Sequence, residues 1–153
     1  MNTPYQPHPS PDRLEHLLQE LRRRGCRLTP QRVAILRAVL RSDEHPTAEQ
    51  IYTQVRAEFP MTSLATVYNT LGLLKEMGGV LEIGLGGSNR YDGLRPEPHP
   101  HLICTRCHTI LDADLPEVQH LGEAVSLTTG FLVKGHRLDF FGICPQCQAR
   151  GYN

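Results

Sequence analysis

Four successive segments in the first half of the chain carry apolar residues at helical spacing, and the first three each follow a residue that commonly caps helices. The expected starts are Ser10-Pro11-Asp12, Thr29-Pro30, Thr47 with Gln50 completing a capping box, and Ser63. The apolar faces are Leu14, Leu17, Leu18 and Leu21, then Val33, Leu36 and Leu40, then Ile51, Val55 and Phe59, then Leu64, Val67, Leu71 and Leu74. The pattern predicts four helices, of which the first ends at Gly25 and the fourth runs from Ser63 to Met77.

Residues 80–92, "VLEIGLGGSNRYD", have the pattern of two short strands around a glycine-rich turn. Several short helices followed by a β-hairpin is the element order of a winged helix-turn-helix. We therefore predict such a domain over residues 1–94. The following stretch, "GLRPEPHP", is rich in proline and glycine and suits a hinge.

The second half has a different pattern. "HLICT" and "TILDADL" are short strand candidates, Pro116 to Thr129 predicts a helix closed by Gly130, and "FLVKGHRLDFFGI" is the longest strand-like run. Residues 95–153 are therefore expected to form a small α/β domain. The fold class of the whole chain is α+β.

Charge is unevenly distributed although the net charge is zero. Residues 1–41 hold eight arginines against three acidic residues, so this segment suits a polyanionic partner. No apolar stretch is long enough to span a bilayer, and the first residues lack the pattern of a signal peptide. We expect a cytoplasmic protein without membrane contact, in which clustered cysteines hold metal more often than they form disulfides.

Two CxxC pairs, Cys104/Cys107 and Cys144/Cys147, predict a structural zinc site with four thiolate ligands. Two disulfides and inert buried thiols are the alternatives. Cys104 to His108 also reads CxxCH, the pattern of covalent haem attachment, which would need export and a use for the second CxxC. The fifth cysteine, Cys26, is most simply a small apolar residue near a helix end.

A second candidate metal site consists of nitrogen and oxygen donors. His99 and His101 lie two apart in an extended segment, so their side chains should point the same way. Asp92, Asp112 and His45 are further candidates, although a solvated histidine before a helix is the simpler interpretation of His45. The complete set of three imidazoles and two carboxylates suits Fe²⁺, Mn²⁺ or Zn²⁺.

Six segments together resemble the ferric-uptake-regulator family of bacterial metal-dependent repressors. They are "RLTPQRVAIL", "HPTAEQIY", "SLATVYNTLGLL", "RYD", "HPHLICTRC" and "FFGICPQC". The resemblance implies a homodimer with an N-terminal winged-helix DNA-binding domain and a C-terminal dimerisation domain that contains the zinc site.

The resemblance also implies roles for individual residues. The family's regulatory metal ligands fall on His45, Asp92, His99, His101 and Asp112, and aspartate at position 112 is typical of the peroxide-sensing branch. In that branch bound Fe²⁺ reacts with hydrogen peroxide and ligand histidines, here His45 and His99, are oxidised, whereas Mn²⁺ resists this reaction. His136 matches a further metal site of the family, but that site's other ligands are missing, so we leave its role and that of His108 open.

The fourth helix is expected to enter the major groove of operator DNA. Candidate DNA contacts are Thr62, Thr66 and Asn69 on its exposed side, Tyr68 on its shoulder, and Arg90 in the wing. The sequence therefore indicates a metal-dependent repressor that senses peroxide. An iron-, manganese- or zinc-uptake regulator of the same family is the alternative, and a metalloenzyme is a distant one because no nucleophile–base pair is evident.

Overall fold

The computed structural model describes residues 11–84, 87–95 and 97–151. It divides into two compact units, of which unit 1 extends to residue 96 and unit 2 begins at Glu97. The boundary predicted from the sequence lies two residues earlier, after residue 94. Ser10, the expected cap of the first helix, lies outside the described residues, as do Leu85 and Gly86 of the hairpin turn.

Unit 1 contains the four predicted helices, α1 (Pro11–Arg23), α2 (Pro30–Leu40), α3 (Ala48–Glu58) and α4 (Leu64–Glu76). The caps expected at Thr29 and Thr47 are present, and Ser63 caps α4 as well. The Thr29 side chain accepts a hydrogen bond from the Arg32 amide, and Ser63 accepts one from Thr66. Thr47 and Gln50 form the complete capping box at the start of α3. These bonds satisfy amide groups that have no partner within the helix.

The core of unit 1 is a single apolar cluster formed by all four helices and the hairpin. Leu36 and Leu40 of the predicted α2 face are buried, whereas Val33 is only half-buried. Ile35 and Val39 are completely buried as well, because α2 packs against α1, α3, α4 and the second hairpin strand. A helix with neighbours on several sides buries more than one stripe.

The predicted hairpin consists of β1 (Leu81–Gly84) and β2 (Asn89–Asp92), which pair antiparallel. β2 also contacts the segment before α3, since the Tyr91 amide donates to the Pro46 carbonyl and Arg90 bridges to Thr47. The wing strand and the start of α3 are thus joined by backbone hydrogen bonds.

Unit 2 contains a three-stranded sheet in the order β4-β3-β5. β3 (Pro100–Cys104) is the central strand and pairs antiparallel with β4 (Ile110–Asp112) and parallel with β5 (Leu138–Gly142). Two helices, α5 (Leu121–Thr129) and α6 (Pro145–Ala149), complete the unit. Gly130 ends α5, as predicted, and it adopts the left-handed conformation.

Two predictions about unit 2 are wrong in extent. The helix expected from Pro116 begins at Leu121, because a 3₁₀ turn over Pro116–Val118 precedes it. The strand expected over residues 131–143 is limited to Leu138–Gly142. Every residue of β3 already pairs with one residue of β5, so β3 has no length left to pair with residues 131–137. Among the described residues, no helix is long and apolar enough to cross a membrane.

Candidate metal centres

The four cysteines of the two CxxC pairs converge in unit 2. Their sulfur atoms all lie within 4.8 Å of one another, and the sulfurs of Cys107 and Cys144 are 3.7 Å apart. Four thiolates bound tetrahedrally to Zn²⁺ at about 2.3 Å would lie about 3.8 Å apart. The cluster therefore fits zinc with only small adjustments, and its four sulfurs would fill the coordination shell.

The sheet explains why the two pairs meet. Cys104 ends β3 and is paired with Gly142 at the end of β5, so both CxxC turns leave the same edge of the sheet. The Thr105 amide donates to the Gly142 carbonyl, and the Cys144 amide donates to the Cys104 sulfur at 3.3 Å. Parallel pairing thus brings together residues that are 40 positions apart.

The surroundings of the four sulfurs favour the thiolate form most clearly at Cys104. Hydrogen bonds from the backbone of Cys107 and then of Cys144 lower the pKa of Cys104 to about 6. The side chain of Thr109 lowers the pKa of Cys107, whereas burial raises the pKa of Cys147 to about 12. Metal binding requires thiolates, so the amides around Cys104 assist it.

The structure does not contain the alternative disulfides, because all five cysteines are free thiols. The convergence of both CxxC pairs favours zinc over haem attachment at Cys104 and Cys107. Cys26 is half-buried and packs against the core of unit 1, in line with its predicted apolar role.

Unit 1 contains one pair of candidate ligands from the nitrogen and oxygen set. His45 precedes α3 and Asp92 ends β2; both are buried, and their Nε2 and Oδ2 atoms are 3.9 Å apart. The other carboxylate oxygen of Asp92 accepts the amides of Leu94 and Arg95. The interpretation of His45 as a solvated histidine is wrong, since it is only 2% exposed.

The backbone around His45 is constrained. Its φ angle is 50°, in the left-handed region that non-glycine residues seldom adopt. The Arg90 guanidinium donates to the His45 carbonyl at 3.2 Å, and the Tyr91 amide donates to the next carbonyl, that of Pro46. The wing strand therefore carries Asp92 and also stabilises the backbone of His45.

Unit 2 contains the other three candidate ligands. His99 and His101 lie with ring centroids 4.4 Å apart, so their side chains share one face as predicted. Their Nε2 atoms are 3.1 and 3.9 Å, respectively, from the same oxygen of Asp112, Oδ1. Two donor atoms bound at about 2.1 Å to one ion lie about 3–4 Å apart, so these distances fit a shared metal.

A carboxylate outside the predicted ligand set, that of Asp139 in β5, lies on the other side of His101. Its Oδ1 atom is 3.5 Å from His101 Nδ1. The alternation of "RLDFFG" places Asp139 on one face of a strand, but only the pairing of β5 with β3 identifies His101 as its neighbour.

The candidate DNA contacts of the fourth helix differ in how far they are exposed to solvent. Tyr68 is 45% exposed, and its hydroxyl donates to a Glu49 carboxylate oxygen at 2.6 Å, which lowers the pKa of Glu49 and raises that of Tyr68. Asn69 is exposed and Thr66 half-buried. The expectation that Thr62 lies on the exposed side is wrong, because it precedes α4, donates its amide to the Phe59 carbonyl and is buried.

Comparisons with known proteins agree on one family. The pattern of the ferric uptake regulator family matches residues 23–141. The peroxide-responsive repressor PerR of Staphylococcus aureus is 39% identical over 139 residues, which cover 88% of this chain and 94% of that protein.

Solved structures show the same fold. The Campylobacter jejuni peroxide stress regulator is 30% identical with a TM-score of 0.68, covering 88% of this chain and 98% of the other. The Helicobacter pylori ferric uptake regulator, at 24% identity, matches with a TM-score of 0.77 over 97% of each chain. The protein therefore belongs to the ferric uptake regulator family, with the predicted α+β fold of a winged helix-turn-helix and a small α/β domain.

Proposed function

We propose that the protein is a metal-dependent transcriptional repressor that responds to peroxide. The observation that carries this proposal is the approach of two histidine Nε2 atoms, from His99 and His101, to one oxygen of Asp112. The 39% identity to a peroxide-responsive repressor supports it.

The regulatory ligands proposed are His45, Asp92, His99, His101 and Asp112, which together would hold one Fe²⁺ or Mn²⁺ ion. Imidazole and carboxylate donors suit these metals better than thiolates would. Since His45 and Asp92 belong to unit 1 and the other three to unit 2, binding of one ion by all five would restrict how the units are arranged. That restriction would link metal binding to DNA binding.

Loss of repression is proposed to follow from oxidation of His45 or His99. Bound Fe²⁺ would supply the activation of peroxide; in net terms one oxygen atom of H₂O₂ is added to an imidazole ring and water is released. A modified ring is a poorer metal ligand, so the restriction on the two units would be lost. The proposed zinc thiolates are less exposed to this chemistry, because they are coordinated to a redox-inert ion.

Operator DNA is the proposed partner of unit 1. We expect α4 to enter the major groove with Tyr68, Asn69 and Thr66 on its outward side. Arg90 stays a candidate phosphate contact, although one of its guanidinium nitrogens already donates to the His45 carbonyl. Thr62 is buried and is therefore not proposed as a DNA contact.

A second copy of the chain is the proposed partner of unit 2. Among the described residues β5 pairs only with β3, so its other edge is available to a further strand. Four apolar side chains of this unit are 40% or more exposed: Leu102, Leu111, Phe140 and Phe141. All four line one cavity of about 210 Å³. A patch of this kind indicates a protein interface.

The test is binding to a candidate promoter duplex by the zinc-containing protein loaded with Fe²⁺, Mn²⁺ or Zn²⁺, before and after mild peroxide. We expect peroxide to abolish binding of the iron form only, with a gain of one oxygen on His45 or His99 in mass spectrometry. The His120→Ala variant, altered at an exposed histidine, serves as the control for nonspecific oxidation. Binding by the iron form that survives peroxide without histidine modification would indicate a metal-uptake regulator, and metal-dependent turnover without duplex binding would indicate an enzyme.

A further inference from the structure

Three side chains form a row across the sheet of unit 2. His101 on the central strand pairs in register with Asp112 of β4 on one side and with Asp139 of β5 on the other. Directly paired residues present their side chains on the same face. The imidazole of His101 therefore lies between two carboxylates, with Nε2 nearer Asp112 and Nδ1 nearer Asp139.

The two histidines of this unit differ in what contacts their Nδ1 atoms. His99 Nδ1 lies 2.8 Å from the backbone carbonyl of Glu97, a neutral acceptor. His101 Nδ1 lies 3.5 Å from the carboxylate of Asp139, a charged acceptor. In both cases the acceptor favours the tautomer that carries its proton on Nδ1, which leaves Nε2 with a lone pair directed at a metal.

We propose that Asp139 is a positioning residue for His101. It accepts the Nδ1 proton, fixes the tautomer and orientation of the ring, and makes Nε2 a stronger metal donor than it would be beside a neutral acceptor. This proposal rests on the proposed function, because it presumes that His101 is a ligand of the regulatory metal. Asp139 itself is outside the predicted ligand set.

Arg137 holds the acid in place. Its guanidinium contacts Asp139 Oδ2 at 2.5 Å, whereas the other oxygen, Oδ1, is the one nearest His101. The Asp139 side chain is 12% exposed and that of Arg137 is 43% exposed, so the contact runs from the surface to the nearly buried imidazole. Each carboxylate oxygen thus has a separate partner.

Two readouts test the role of Asp139 in zinc-containing protein. The first is Mn²⁺ affinity, measured by titration with electron paramagnetic resonance. Asp139→Leu should weaken Mn²⁺ binding about 10–100-fold, the usual effect of removing an outer carboxylate. Asp139→Asn should weaken it less, because the amide oxygen still accepts a hydrogen bond. Glu123→Gln, a charge loss at an exposed position of the same unit, should leave it unchanged.

The second readout is the tautomer of His101, from ¹⁵N chemical shifts of histidine-labelled protein that contains zinc but no manganese. The wild-type ring should be the Nδ1–H form, and Asp139→Leu should shift it toward Nε2–H while the His99 signals remain unchanged. This measurement needs no regulatory metal and does not respond to a general loss of stability. If Asp139→Leu fails to fold, the His101 tautomer is compared between the wild-type protein and Asp139→Asn instead.

His101→Ala distinguishes failure of the proposed regulatory site from failure of the proposed role of Asp139. If it binds Mn²⁺ as tightly as wild type, the proposed regulatory site is wrong. If it loses Mn²⁺ while Asp139→Leu stays within about twofold of wild type, only the role of Asp139 is overturned. An Asp139→Asn effect as large as that of Asp139→Leu would overturn the role of Asp139 as hydrogen-bond acceptor, because the amide oxygen would then contribute nothing that leucine lacks.

Discussion

Units 1 and 2 are stabilised in different ways. Unit 1 buries sixteen apolar residues in one cluster. In unit 2 the buried apolar residues among those described are Ile103, Ile110, Cys104 and Cys147, so half of them are candidate zinc ligands. Most of the large apolar side chains that are exposed among the described residues belong to unit 2. Those of unit 2 are Leu102, Leu111, Leu121, Val125, Leu127, Phe131, Leu132, Phe140 and Phe141.

The difference indicates where each unit's stability comes from. Burial of an aliphatic side chain contributes about 1.5–3 kcal/mol to stability, and unit 1 buries many such side chains. Unit 2, with 57 residues from Glu97 to Asn153, is in the size range in which small domains depend on metals or partners. We infer that zinc and an apolar partner surface supply what its core does not.

The largest expected effect follows from removing zinc. Cys104→Ser, Cys107→Ser, Cys144→Ser or Cys147→Ser should release one zinc per chain and unfold unit 2, because structural zinc in small domains contributes about 10–16 kcal/mol. The NMR amide signals of unit 1 should keep their native chemical shifts, whereas those of unit 2 should move to the shifts of an unfolded chain. Cys26→Ser, in the other unit, should retain its zinc. Full zinc content and unchanged melting in all four variants would refute the assignment.

A smaller effect is expected at the exposed apolar patch. Phe141 is 65% exposed in the single chain. If a second copy covers it, Phe141→Glu should weaken dimerisation by about 2 kcal/mol or more, on the order of thirtyfold in Kd. Sedimentation equilibrium measures this, with Gln119→Glu as an exposed charge control in the same unit. A Phe141→Glu protein that dimerises as tightly as the control would place the interface elsewhere.

The same difference explains which features were predictable. The helices of unit 1 begin at local signals, since Thr29, Thr47 and Ser63 each bond to an amide three residues ahead. Each CxxC pair is equally local, and the four-ligand preference of zinc predicts that the two pairs meet, although the parallel pairing of β3 with β5 is what brings them together. Such features depend on a few neighbouring residues, so the sequence contains them directly.

Other features depend on pairing between distant segments. The apolar run over residues 131–143 suits a strand throughout, but its length is set by β3, which offers five residues. Thr62 resembles a surface residue by type, yet it is buried in the segment between α3 and α4. Asp139 becomes relevant to a metal site only because β5 pairs in parallel with β3. No local pattern records these contacts.

A change on α4 should affect DNA binding without disturbing either unit. Tyr68→Ala removes an exposed aromatic ring, so operator affinity should fall about tenfold while zinc content and dimerisation remain as in wild type. Tyr68→Phe removes only the hydroxyl that donates to Glu49. It therefore separates a ring contact from a role of the hydroxyl. Fluorescence anisotropy with a candidate operator measures both, and normal affinity of the alanine variant would exclude Tyr68 from the interface.

The smallest expected effect concerns the capping box of α3 and is confined to unit 1. The Thr47 hydroxyl accepts from the Gln50 amide at 3.2 Å, and the Gln50 side chain accepts from the Thr47 amide at 2.8 Å. Thr47→Ala leaves one helix amide without its side-chain acceptor and should lower the free energy of unfolding of unit 1 by about 1 kcal/mol.

Thr53→Ala is the matched control for this substitution. Thr53 lies in the middle of the same helix, where its hydroxyl donates to the Glu49 carbonyl and alanine is the better helix former. The control should be neutral or stabilise unit 1 by a few tenths of a kcal/mol. Denaturant unfolding followed by amide signals assigned to each unit measures both variants. Thr47 lies in unit 1, so the transition of unit 2 should not move. Equal losses in the two variants would show that the cap contributes no more than any threonine of the helix, and a shift in unit 2 would show that the two units do not unfold independently.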